Sequence, residues 1–233
     1  MPARDGAAFL GASAIFAGVP PRDVAALATV AREEAYRARE YIFLEGDPAR
    51  WFCLVRSGRV KILRASRGGK DIVLELLGPG EPFGGVAVLE RRPYPASAQA
   101  VEPSAILKVP QDAILELAER HPSVIREMAL MIGRRLRDAH ESVRALAVDP
   151  AEVRVAAALL RLAERDGARG PHGLTLPFHL TRQSLADMTG TTVETTIRIV
   201  SRWLRGGLVV EVESHLVLPD VEAFRQIAEG GVE

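Results

Sequence analysis

The 233-residue sequence predicts an α+β chain: a barrel or jelly roll of short strands, then one long helix, then a winged helix-turn-helix. Three observations predict it. Short β-branched and aromatic runs, separated by turn signals, fill the stretch from about Arg39 to Val109. A helical period takes over at Gln111 and lasts to about Leu146. After Asp149-Pro150, two short helices flank a glycine and two short strands follow. The three parts are expected at residues 1–120, 121–149 and 150–233.

In chain order, the apolar stretch Ala7 to Val19 comes first. With Ala12-Ser13-Ala14 it is similar to a secretory leader and its cleavage site, but Arg4 and Asp5 cancel at its head. A short docked helix is expected there instead. No run approaches the ~20 apolar residues of a membrane span, so no membrane partner is expected. Strands follow at Tyr41–Leu44, Trp51–Val55, Val60–Leu63 and Ile72–Leu77. Gly46-Asp47, Ser57-Gly58, Gly68-Gly69 and Gly78-Pro79-Gly80 are the turns between them. A further pair is expected at Ser97–Val101 and Ala105–Val109. Many short strands at this spacing suggest a small barrel or jelly roll.

Pro110 and Pro122 stand at helix starts, where proline is tolerated. The second helix is expected from about Ser123 to Leu146. One face reads Ile125, Ala129, Ile132, Leu136, Ala139, Val143, Leu146, a heptad a/d stripe. Such a stripe serves either internal packing or a parallel seam with a second copy. Met128, Leu130 and Met131 lie off the stripe and offer a second apolar surface, which favours the homodimer seam.

The third region holds a helix at Val153 to Ala163, a Gly/Pro/His loop from Gly167 to Gly173, and a strand at Leu174 to Leu176. Residues 180–208 then read LTRQSLADMTGTTVETTIRIVSRWLRGGL. Thr181 can cap a short helix that turns Leu185, Ala186 and Met188 inward. Gly190 suits the tight turn, and Thr192 can cap a second helix. In that helix Val200 and Leu204 face the core with Ile197 or Trp203, while Glu194, Arg198 and Arg202 share the other face. Strands Leu208–Val212 and His215–Leu218 complete a wing.

That exposed face suits a DNA major groove. A glutamate near the start of a recognition helix accepts from cytosine N4, and an arginine one turn later bonds guanine O6 and N7 bidentately. Each such contact is worth ~1–3 kcal/mol of discrimination. The competing reading is a plain i,i+4 ion pair worth ~0.2–0.5 kcal/mol. The turn before it and the hairpin after it favour base reading.

Lys+Arg and Asp+Glu both number 30, so the formal net charge is zero. With 48% hydrophobic and 26% charged residues, this excludes a disordered chain and a basic nucleic-acid tail. The balance is uneven along the chain. Residues 150–205 carry 8 basic and 5 acidic groups, whereas 206–233 carry 1 and 6. Neutrality excludes a general polyanion binder but not a reader of specific sites. One cysteine, Cys53, rules out an internal disulfide and a cysteine-ligated cluster, and the cytoplasm is the simplest compartment. Cys53 is expected to pack as a small hydrophobe. No catalytic constellation is present.

Taken together, Phe43-Leu44-Glu45-Gly46-Asp47, Ser57-Gly58-Arg59-Val60-Lys61, Leu77 to Gly84, Leu180-Thr181-Arg182-Gln183 and Gly190 to Arg198 resemble the CRP/FNR family of bacterial transcription regulators. The resemblance runs from about Phe16 to Phe224. It implies a cyclic-nucleotide-binding-like β-roll, a dimerisation helix and a winged helix. It also implies double-stranded DNA and RNA polymerase as partners. Glu194 and Arg198 match the family's base-reading pair. Thr181, Arg182, Gln183 and Thr192 match positions that touch phosphate or sugar, and Arg202 is added to that set. Val193 stands where cyclic-AMP receptor proteins have an arginine, which makes the helix FNR-like, with a half-site resembling TTGA(T). Ile197 departs from the small Ser or Gly of FNR-like members and leaves the inner half-site open.

The same resemblance argues against the family's known effectors. The glutamate that takes the ribose hydroxyl aligns with Gly85 in Gly84-Gly85, and the arginine that takes the cyclic phosphate aligns with Ala96 in Ala96-Ser97. The positions that meet adenine align with Ala139 and His140. Arg91 or Arg92, in the adjacent loop, could substitute for the missing arginine. The effector pocket is expected to be degenerate, and cyclic AMP is not expected. An iron–sulfur cluster fails on cysteine count. Metal and haem fail because residues 1–120 contain no histidine. No cofactor is predicted. The competing function is a small-ligand sensor whose DNA face is idle.

Overall fold

A computed structural model describes residues 3–65 and 71–230. The chain forms two compact units, 1–136 and 137–233, which divide inside the long helix rather than at its ends.

The first unit begins with α1 (Ala3–Ala12), a 3-10 turn (Ala14–Phe16) and α2 (Pro21–Val30). Leu10, Ile15, Phe16 and Val19 are buried in one core with Phe52, Leu107 and Met128, so the leader-like stretch is a docked element. The strands are β1 (Arg32–Tyr36), β2 (Tyr41–Phe43), β3 (Trp51–Ser57), β4 (Val60–Ala65), β5 (Asp71–Leu77) and β6 (Pro82–Phe83). After α3 (Gly85–Glu90) come β7 (Ser97–Ala100) and β8 (Ser104–Pro110). They build two four-stranded sheets, ordered β1-β8-β3-β6 and β2-β7-β4-β5, with antiparallel pairing throughout.

Successive residues of β3 point to opposite faces. Phe52 and Leu54 enter the helix-side core, whereas Cys53 and Val55 enter a second core with Val60, Leu77 and Ala98 of the other sheet. Burial on both faces is why β3 reads as an unbroken apolar run. All six expected strands are present. The Gly68-Gly69 turn lies outside the described residues. Elements β1 and β6 and helices α2 and α3 were not foreseen. β1 reads Arg-Glu-Glu-Ala-Tyr at a sheet edge and shows no apolar period.

Helix α4 (Gln111–Arg120) buries Ile114, Leu117 and Ala118. Helix α5 (Pro122–Val148) has 27 residues and so spans about 40 Å. In the first unit, Val124 and Met128 are buried and Met131 packs against the same core. Leu130, grouped with them in the sequence reading, is exposed.

The second unit contains the end of α5, then α6 (Ala151–Asp166), β9 (Ala168–Gly170) and β10 (Gly173–Thr175). There follow α7 (Arg182–Thr189), α8 (Val193–Arg205), β11 (Val210–Val212), β12 (His215–Leu218) and α9 (Val221–Ala228). One antiparallel sheet runs β11-β12-β10-β9. The expected Gly167–Gly173 loop therefore contains a strand, β9. The wing turns on Glu213 and Ser214, whose φ values of +50° and +65° suit a two-residue hairpin. Helix α9 was not foreseen. Asp220 caps it by accepting from the backbone N–H groups of Glu222 and Ala223, and Phe224 is buried edge-on to Trp203 at 5.1 Å.

Candidate DNA-reading surface and sensor pocket

Both helices of the motif are capped as their threonines predict. The Thr181 hydroxyl oxygen accepts from the Ser184 N–H at 3.0 Å, and that of Thr192 accepts from the Thr195 N–H at 3.2 Å. Each cap satisfies one of the free N–H groups at a helix start. Gly190 joins the helices in the left-handed region, at φ +60°, which glycine adopts without steric cost. Leu185 and Ala186 are buried, Met188 is half-buried, and Thr189 joins the core.

Helix α8 separates its faces cleanly. Thr196, Ile199, Val200 and Trp203 are buried. Glu194 and Arg198 are exposed, and so is Ile197 at 47%. The expected core set is corrected accordingly: Trp203 rather than Ile197 faces inward, Ile199 joins it, and Leu204 is only half-buried. Val193 and Arg182 are half-buried, and Gln183 donates to Asp187 at 2.7 Å.

Two residues that the sequence reading missed hold the motif in place. Glu152 of α6 accepts from the Trp203 indole N–H at 2.9 Å and pairs with Arg202. Arg202 therefore has an internal partner, unlike a residue reserved for phosphate. Arg154 donates to the Thr189 carbonyl at 2.9 Å and the Asp149 carbonyl at 2.7 Å, serving carbonyls that helix ends leave free. Neither partner is a sequence neighbour in the helical sense, so no local spacing signals them.

Every position of the α5 stripe is exposed. Ile125, Ala129, Ile132 and Leu136 are exposed in the first unit. Ala139, Val143 and Leu146 are exposed in the second, Val143 at 66%. Leu146 also lies against Gly190, where an added Cβ would meet its Cδ2 at 2.4 Å.

The expected sensor positions Gly85 and Ala96 are both buried. A Cβ on the buried Gly85 would lie 2.7 Å from Met128 Cε and 3.0 Å from the Phe52 ring. Ala96 is buried, and the Ser97 hydroxyl oxygen accepts from the Glu45 N–H at 2.9 Å. Beside Gly84, Tyr94 stacks on Phe43 at 3.6 Å and donates its hydroxyl to the Trp51 carbonyl at 2.7 Å. Arg135, which the sequence reading did not single out, donates to the Pro82 carbonyl at 2.7 Å and pairs with Glu75 at 3.1 Å. Ala139 and His140 are exposed and belong to the second unit. Arg91 and Arg92 are exposed and line a surface cleft with Arg50.

Cys53 is fully buried, and its burial pushes the thiol up to about 12, far from a reactive thiolate at neutral pH. Among the described residues, no group of three or more His, Cys, Asp or Glu is placed to hold a metal ion. None of the described helices is long and apolar enough to cross a membrane.

A capped helix-turn-helix with a wing, in a chain that also carries a β-roll and a long helix, defines a DNA-binding transcription regulator with a sensor of the cyclic-nucleotide-binding type. Residues 33–121 match the cyclic nucleotide-binding domain, and residues 153–227 match the Crp-like helix-turn-helix domain. The chain is 33% identical over 215 residues to the cyclic AMP receptor protein of Thermus thermophilus, covering 90% of this chain and 96% of that one. It is 28% identical over 180 residues to the transcriptional activator protein anr of Pseudomonas aeruginosa, covering 77% and 73%. The structure of FixK2 from Bradyrhizobium japonicum matches with a TM-score of 0.76 at 26% identity, covering 85% of this chain and 97% of that one. The chain belongs to the CRP/FNR family.

Proposed function

We propose that this regulator works as a homodimer that reads an inverted repeat with FNR-like half-sites. The carrying observation is the first half of α8, where Glu194, Ile197 and Arg198 stand exposed over a fully packed inner face. Residues at the start of a recognition helix are the ones that reach base edges. Glu194 would accept from cytosine, Arg198 would fork onto guanine, and Val193 and Ile197 would meet thymine methyl groups. Thr181, Arg182, Gln183 and Thr192 would set register on phosphate. Arg202 would reach phosphate only by releasing Glu152.

The exposed stripe of α5 supports pairing of two copies in parallel, which places their half-sites about one helical turn apart. In this reading residues 1–120 are the sensor, 121–149 the dimerisation helix and 150–233 the DNA-binding part. RNA polymerase is the further partner where the protein activates, and the cytoplasm is where it works. The absence of a polar side chain at Gly85 and Ala96 supports an effector other than cyclic AMP.

Selection of bound sites from random duplex DNA tests this directly. A two-fold symmetric TTGAT-like consensus is expected, and an asymmetric or absent consensus overturns it. In the same preparation, charging the stripe with Ile132→Glu and Leu136→Glu is expected to give monomers in sedimentation. Persistent dimers would reject the seam.

A further inference from the structure

Three arginines of the sensor unit converge on one shallow cleft. Arg50, Arg91 and Arg92 line it with Pro48, Pro93 and Gln111, and it encloses about 260 Å³. All three arginines are exposed, and among the described residues none has a carboxylate partner. Other arginines of the same unit do: Arg56 pairs with Asp5, Arg64 with Glu45, Arg120 with Asp23 and Arg135 with Glu75.

The cleft is also rigidly built. The Gln111 N–H donates to the Arg50 carbonyl at 2.9 Å, and its side-chain amide donates to the Val88 carbonyl at 2.9 Å. The N–H groups of Arg91 and Arg92 donate to the Val88 and Ala87 carbonyls at 3.2 and 3.0 Å. The Tyr94 N–H donates to the Asp47 carbonyl at 2.9 Å. These bonds tie together the three stretches that carry Arg50, Arg91 with Arg92, and Gln111. Arg91 itself sits at φ +53°, a backbone region where glycine would be less strained. This left-handed residue, with the two N–H bonds just given, is how helix α3 ends. Basic residues at the end of a helix also offset its dipole. That does not account for Arg50, which lies off the helix, or for Arg92, which lies beyond the cap residue Arg91.

Guanidinium forks bond phosphate oxygens bidentately, and three of them match a compact anion of several charges. The cleft is shallow and open, so it suits an anionic group laid on its surface rather than an enclosed ligand. We infer that the cleft of Arg50, Arg91 and Arg92 binds the diphosphate group of a small phosphorylated metabolite. Gly85 and Ala96, the positions expected to contact a cyclic nucleotide, are not among the residues that line it. The carboxylates of an acidic peptide carry one charge each and are spread along a chain, which fits this cleft less well.

Calorimetric titration of the full chain with sodium pyrophosphate tests the inference, with hexaglutamate and sodium sulfate as comparison anions. Saturable pyrophosphate binding is expected with Kd below about 1 mM. Arg92→Gln and Arg91→Gly should each weaken it by about tenfold or more. Arg37→Gln, an exposed arginine elsewhere in the unit, should leave it unchanged. Glycine suits φ +53°, so Arg91→Gly reads out binding without risk to folding, which circular dichroism confirms. The inference falls if pyrophosphate gives no saturable heat, if Arg37→Gln weakens binding as much, or if hexaglutamate or sulfate binds as tightly. DNA binding by these variants should be unchanged, which keeps this test independent of the DNA-reading proposal.

Discussion

Helix α8 and the β-roll pocket lie in one chain but use their functional positions in opposite ways. On α8 the polar, chemistry-bearing groups point outward over a closed core of Thr196, Ile199, Val200 and Trp203. In the β-roll, positions 85 and 96 are buried and carry no polar side chain, and Phe52 and Met128 occupy the space beside Gly85. A reading surface needs only a few exposed side chains on a packed support. A pocket needs polar groups at set positions, and positions 85 and 96 supply none. Membership of the family therefore carries over to the reading helix more directly than to the effector.

Removing Arg198 should break the α8 side of this contrast most strongly. In the proposed reading, Arg198→Ala deletes a guanine contact worth about 1–3 kcal/mol in each half-site. Separated positions add, so the loss over a symmetric site is about 2–6 kcal/mol of discrimination. Because Arg198 is exposed, thermal stability should not change. Competition binding between the selected site and one altered at guanine measures the loss. Undiminished discrimination would remove Arg198 from base reading.

The pocket side is sharpened by restoring what is missing. Gly85→Glu places a Cβ 3.0 Å from the Phe52 ring and 2.7 Å from Met128 Cε. The methionine tip can move aside, but the ring is held in the core. Overpacking of this kind costs about 1–3 kcal/mol, which a lowered Tm would report. Cyclic AMP should still give no calorimetric heat, because Ala96 supplies no charge for the phosphate. An unchanged Tm, or tight cyclic AMP binding, would show that the pocket is open after all.

Legibility in the sequence follows the range of the interactions involved. The caps at Thr181 and Thr192, the turn at Gly190 and the strand run of β3 are set by neighbours along the chain, and each was readable. The α5 stripe was readable because its period survives over the whole helix. Glu152, Arg154 and Arg135 were not, because each acts on a group far away in sequence. Strand β1 and strand β9 were missed because edge pairing is a backbone property that needs no apolar period. The burial of Trp203 over Ile197 was left open by periodicity alone. Phe224 decides it, from a helix that gave too short an apolar pattern to be seen.

The smallest expected effect lies in the charges of the β-roll, where Lys108 is buried against Glu34. Burial by itself would raise the Glu34 carboxyl, but hydrogen bonds from Lys108 at 2.5 Å and Tyr36 at 2.6 Å hold it below the usual carboxylate range. A carboxyl lowered in the folded state stabilises it above the unfolded value of about 4.3, and that contribution is lost as pH falls through the lower folded value. Glu34 is 43% exposed, so solvent screening keeps the contribution to about 1 kcal/mol or less. Melting curves of Glu34→Gln against the parent should therefore differ near neutral pH and converge once the pH falls below the lowered carboxyl value. A gap that stays constant with pH would mean that the side chain matters for packing and not for its charge.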